Sequence, residues 1–80
     1  MTKNGLSPQK QQRLMQRLSQ AIAHHQKGEY DLAERGYRQV LKDDPSQPDA
    51  LHLTGVIAYQ KGNYERALHH ISKAIRINPS

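Results

Sequence analysis

A string of eight residues returns in this chain after an interval of 34. Gln26-Lys27-Gly28-Glu29-Tyr30-Asp31-Leu32-Ala33 is answered by Gln60-Lys61-Gly62-Asn63-Tyr64-Glu65-Arg66-Ala67. The same offset carries Pro45-Ser46 onto Pro79-Ser80, Ala21 onto Gly55, Ile22 onto Val56, Val40 onto Ala74 and Leu41 onto Ile75. A repeat of this period is one supersecondary unit used twice, and a single copy cannot bury its own apolar face. A chain of 80 residues holds two such units and little more.

Each unit reads as a helix, a glycine turn and a second helix. Ser7 before Pro8 gives a helix start, with serine at the N-cap and proline at the first helical position. Leu14, Leu18, Ala21, Ile22 and His25 then recur at helical spacing. The first helix is expected from about 8 to 27 and ends at Gly28, which takes a left-handed C′ conformation without a Cβ penalty. Tyr30, Ala33, Tyr37, Val40 and Leu41 line one face of a second helix. It stops at Asp43-Asp44, because Pro45 drives its predecessor out of the helical region. Pro48 opens a third helix with Leu51, Leu53, Val56, Ile57 and Tyr59, closed by Gly62. The fourth carries Tyr64, Ala67, Leu68, Ile71, Ala74 and Ile75 and ends before Asn78-Pro79. No segment sustains a period of two, so strands are not expected. Gly36 lies inside the second helix at a cost of about 1 kcal/mol against alanine, which suggests a close neighbour, from this chain or a second one.

Composition narrows the functional classes. There is no Cys, which removes disulfides, thiolate metal sites and a cysteine nucleophile. Mean hydropathy is −0.93, and no apolar run approaches the roughly 18 residues of a membrane span. The opening MTKNGLSPQK has no apolar stretch behind Lys3, so a cytoplasmic chain is expected. Lys and Arg number 12 against seven Asp and Glu, a net charge of +5 with a pI near 9.8. The excess is concentrated at the start: residues 1–28 contain Lys3, Lys10, Arg13, Arg17 and Lys27 and no acid. Lys10, Arg13 and Arg17 form one helical stripe that could track phosphates, but no aromatic is interleaved to stack bases. A solvated helix face is the preferred reading, and nucleic acid is an unlikely partner.

The residues resemble the tetratricopeptide repeat (TPR), a 34-residue helix–turn–helix with a W-x2-L-G-x2-Y, A-x3-F and P pattern. In the second copy Leu51, Thr54, Gly55 and Ala58 stand at the Trp, Leu, Gly and Tyr places, and Ala67, Ile71 and Pro79 at the Ala, Phe and Pro places. In the first copy Ala21, His24, Ala33, Tyr37 and Pro45 fill the Gly, first Tyr, Ala, Phe and Pro places, while Arg17 and Gln20 depart from the pattern. Polar residues there suit a terminal repeat with no neighbour on its outer side. The resemblance covers about 14–80 and implies an all-α fold: two tandem TPR units, four antiparallel helices, a fragment of a right-handed α-solenoid. The expected division is a flexible N-terminus over 1–7 and a TPR domain over 8–80, with repeat one about 14–47 and repeat two about 48–80.

The family resemblance implies a non-catalytic scaffold that receives a peptide or helix in a groove lined by the first helix of each repeat. The matching places are Met15, Leu18, Ile22, His25 and Gln26 in copy one, and Asp49, His52, Val56, Tyr59 and Gln60 in copy two. Leu18 and Ile22 can equally be core. TPR proteins that hold acidic chaperone tails use Lys and Asn on this face; Leu18, Ile22 and Val56 stand there instead, so no such carboxylate clamp is expected.

Two repeats are fewer than the three normally needed, which leaves Leu68, Ile71, Ile75 and Ile77 as a candidate apolar face. The chain is read first as the N-terminal part of a longer TPR protein, its wording being similar to the leading repeats of bacterial proteins. The alternative is a homodimer formed through that face. A metal site is not expected. His24-His25 and His69-His70 are adjacent pairs that splay by about 100° on a helix, no His has a partner four residues on, and a His25–His52 pair lacks a third ligand. No nucleophile–base set or phosphate loop is visible, so neither enzyme activity nor a cofactor is expected.

Overall fold

The computed structural model describes residues 7–78. Among them lie four helices: α1 (Pro8–Gln26), α2 (Tyr30–Asp43), α3 (Pro48–Gln60) and α4 (Tyr64–Ile77). Residues 1–6 of the expected N-terminal tail, and Pro79 with it at the other end of the repeat pattern, lie outside the described residues.

The boundaries follow from local chemistry. Ser7 Oγ accepts the Lys10 N–H at 3.1 Å, and Pro8 occupies the first turn where no donor is needed. Gln47 Oε1 caps α3 through the Ala50 N–H at 2.8 Å, again beside a first-turn proline. The two repeated glycines do identical work. Gly28 and Gly62 adopt φ of 79° and 84°. The N–H after each reaches back five residues, Glu29 to His24 O at 2.9 Å and Asn63 to Ala58 O at 2.8 Å, while the glycine N–H bonds His25 O or Tyr59 O at 3.0 Å. This is the Schellman closure, and it turns the chain straight into the next helix. Between repeats, Asp44 Oδ1 accepts the Ser46 N–H at 3.3 Å, a side-chain turn that bridges Pro45.

The helices form two hairpins in tandem, α1 with α2 and α3 with α4, joined by packing of α2 on α3. Leu14, Leu18, Ala21, Ala33, Tyr37, Val40, Ala50 and Ile57 make one buried cluster, so α3 completes the core of the first hairpin. Small residues set the helix spacing. A Cβ on Gly36 would stand 2.8 Å from Ala21 Cβ, and one on Gly55 2.5 Å from Ile71 Cγ1 and 3.2 Å from the Ala67 carbonyl oxygen. The close neighbour anticipated for Gly36 is therefore Ala21 of the same hairpin, not a second chain. No helix among the described residues is long and apolar enough to cross a membrane.

Candidate functional site

The first helices of the two hairpins, α1 and α3, meet at their C-terminal ends through one side chain. His25 Nε2 lies 2.9 Å from Gln60 Oε1, and His25 Nδ1 lies 3.1 Å from the Tyr37 hydroxyl. One proton arrangement satisfies both bonds: the Nε2–H donates to the Gln60 oxygen, and the Tyr37 O–H donates to Nδ1. Tyr37 has no exposed surface, and burial pushes its phenol up to about 12. Tyr30 closes on His25 edge-to-face, with centroids 5.6 Å apart. With both ring nitrogens engaged, His25 is a structural pin and no free metal ligand; among the described residues no three His, Asp or Glu converge.

Around this pin the expected groove residues divide. Met15 and Tyr59 are 52% and 63% exposed. Gln26, Asp49, His52 and Gln60 are exposed, and Ile22, His25 and Val56 are half-buried. By helix phase Met15, Ile22 and Gln26 share one face of α1, and Asp49, His52, Val56 and Gln60 one face of α3. Leu18 is different. It is 3% exposed and belongs to the cluster that Ala50 and Ile57 of α3 complete, so it is core and leaves the groove set. Its counterpart in the second hairpin, His52, is exposed.

The apolar face proposed on the last helix also divides. Leu68 and Ile75 are 70% and 57% exposed, seven residues apart on one face of α4, with Ile71 half-buried beside them. Ile77, 41% exposed, follows Leu68 by nine residues, about half a turn around the helix, and lies on another flank.

Sequence reasoning did not find a second tie between the hairpins. Lys61 Nζ contacts Asp31 Oδ1 at 2.6 Å and Glu34 Oε1 at 3.5 Å, and Arg38 approaches Glu34 at 3.7 Å. The hydrogen bond to Lys61 holds the Asp31 carboxyl below its ordinary value, and the bond to Asp31 raises Lys61. The repeat offset hid this contact, since it joins the turn of one copy to the helix of the other. In the basic stripe of α1, Arg17 is paired with Asp43 at 3.5 Å, and Lys10, Arg13 and Arg17 are all exposed. His24, at the first Tyr place of the repeat pattern, sits half-buried with Nδ1 at 2.8 Å from Glu29 Oε1. Arg17 and His24 border a shallow cleft of about 230 Å³ with Leu32 and Arg35.

A sequence profile of the tetratricopeptide repeat matches residues 18–80, from within α1 through the end of the second hairpin. No curated protein matches the chain.

Proposed function

From the premise that this chain belongs to the tetratricopeptide-repeat family, whose members are typically non-catalytic protein-interaction modules, we propose that its α1/α3 face receives a peptide or helix of a partner protein. One observation supports this most: Met15 on α1 and Tyr59 on α3, whose ring lies 5.3 Å from that of Tyr64, are large side chains more than half exposed, and Ile22 and Val56 on the same two helices are half-buried. Tyrosine suits such a role because it offers a large contact area at low entropic cost. The His25–Gln60 bond fixes the ends of α1 and α3 relative to each other, so the face is formed before a ligand arrives. Gln26, Asp49 and His52 at the margins favour partners with polar groups flanking an apolar centre.

The reading is tested by selecting peptides from a displayed random library against the chain. Tyr59→Ala and Met15→Ala should each weaken a selected peptide by at least about tenfold, as expected of central apolar contacts. Arg35→Ala, beside the cleft on α2, should leave affinity unchanged. Selected peptides indifferent to Tyr59 and Met15 would refute the groove.

A second reading, self-association through α4, is favoured by the exposure of Leu68 and Ile75. The nucleic-acid reading rests only on Lys10 and Arg13, since Arg17 is engaged with Asp43. Binding of that kind would weaken steeply with added salt, whereas binding to an apolar groove would not.

A further inference from the structure

The two hairpins are copies, so the first shows what an inter-repeat surface of this chain looks like when covered. On α2, Tyr37 and Val40 have no exposed surface, and Tyr30 and Leu41 are half-buried. The equivalent residues of α4 are Ile71, Ala74, Tyr64 and Ile75, of which Tyr64 and Ile75 are 64% and 57% exposed. The surface is open, and it has also changed character. Where α2 carries Glu34, which meets Lys61, and Arg38, which meets Glu34, α4 carries Leu68 and Ser72. A helix like α3 ending in a lysine would find only one of its two acids there, Glu65 in the place of Asp31. The face is more apolar than the one that α3 covers.

This chain's own α1 is a poor cover for it. The residues with which α3 seats on the first hairpin are Ala50, Leu53 and Ile57. Their counterparts on α1 are Gln16, Ser19 and Ala23, all exposed. Head-to-tail stacking of copies would set Gln16 and Ser19 against Leu68 and Ile75, burying polar groups without partners.

A second α4 fits instead. Setting Leu68 at zero and advancing about 100° per residue, Tyr64 and Ile75 fall within about 40° of it, and Ser72 lies about 40° to the other side. Glu65 and Arg76 lie farther around on that same side, at about 60° and 80°. Neither forms an ion pair among the described residues. When two helices pack antiparallel about a two-fold axis, residues on the same flank face each other. An axis near Ile71 and Ser72 brings Leu68 of each copy onto Ile75 of the other. It also sets Glu65 of each about two residues, roughly 3 Å along the helix, from level with Arg76 of the other, a gap that the two long side chains span. Apolar centre and charged rim are then satisfied by one symmetry operation.

We infer that two copies of this chain pair through an antiparallel α4–α4 contact, with Leu68 and Ile75 at its centre and reciprocal Glu65–Arg76 ion pairs at its rim. The inference rests on the self-association reading above and specifies its geometry. The interface is closed, so assembly stops at the dimer.

Sedimentation equilibrium over a wide concentration range tests both levels, with circular dichroism to verify that each variant keeps its helix content. The expected result is a monomer–dimer equilibrium that Leu68→Glu abolishes. Glu65→Arg and Arg76→Glu should each weaken the dimer by about tenfold, since each variant turns two attractions into two repulsions. The double variant should return to near the parent affinity. A monomer at every concentration would overturn this geometry and the self-association reading together. A dimer insensitive to Leu68→Glu would remove the contact from α4. Loss on Leu68→Glu without recovery in the charge-swapped double variant would overturn the antiparallel arrangement and leave self-association through α4 standing. Growth beyond the dimer would overturn the closed two-fold.

Discussion

Single atoms decide several properties of this protein. The helix-interior glycine at 36 is an example, because propensity and packing oppose each other there. Alanine is the better helix former by about 1 kcal/mol, but its Cβ would sit 2.8 Å from Ala21 Cβ, an atom fixed to the backbone of α1. Forcing helices apart costs about 1–3 kcal/mol, so Gly36→Ala should destabilise by about 1 kcal/mol in urea unfolding. A stabilised variant would mean that α1 and α2 are not held this close. Tyr37 makes a second residue-scale prediction. Its phenol is raised from 10.0 to about 12, so the native state favours the neutral form, and its contribution is complete below pH 10. Stability should fall as pH rises from 10 towards 12, and Tyr37→Phe should flatten that limb. At neutral pH the same variant removes the donor to His25 Nδ1 and should cost about 1 kcal/mol.

At the scale of the helical elements, closure by a left-handed glycine is used twice and fails the same way twice. Any other residue at Gly28 or Gly62 must adopt φ near 80°, at a cost of roughly 1–2 kcal/mol. Gly28→Ala and Gly62→Ala should therefore each lower the unfolding midpoint, although neither added Cβ would touch anything. The helices on either side differ in what their flanking residues do. Asn63 caps α4 by accepting the Arg66 N–H at 3.3 Å, whereas its counterpart Glu29 leaves α2 without a side-chain cap and turns to His24. Sequence alignment of the two copies equates these residues, and only the geometry separates a cap from an ion pair.

For the whole molecule, the question is what holds two hairpins in one relative position. Apolar packing of α2 on α3 does most of it, and the Lys61 pairing with Asp31 and Glu34 adds a pH-dependent part. Asp31 is depressed in the fold, so its contribution is present above its ordinary value of 3.8 and is lost as pH falls through the lower native value. Lys61 is raised, so its contribution is full below 10.5 and is lost as pH rises through the higher native value. The tie is complete between those limits, and Lys61→Met should reduce the acid-limb loss of stability. Across the proposed α1/α3 face, Ile22 and Val56 are half-buried hydrocarbon and Leu18 is core, which leaves the face without cations at the places of a carboxylate clamp. A peptide ending in acidic residues and a free carboxylate should show no tight binding by calorimetry; tight binding would refute this.

The chain's own letters determined its local structure, because caps, glycine turns and proline boundaries act within about six residues along the backbone. Ser7-Pro8, Gly28, Pro45, Pro48 and Gly62 mark the helix ends within a residue or so of where they fall. The 34-residue offset alone made the two-hairpin plan readable. Helix phase was legible too: Ile77 sits half a turn from Leu68 by counting alone, and grouping the two ignored the period. Burial was not legible, because it depends on helices distant in the chain. Leu18 and His52 occupy the same repeat position, yet Leu18 is sealed in the core that α3 completes while His52 is exposed. His25–Gln60 and Asp31–Lys61, separated by 35 and 30 residues, likewise exist only once α2 has settled on α3. Contacts of that span are made by tertiary packing, which no local pattern encodes.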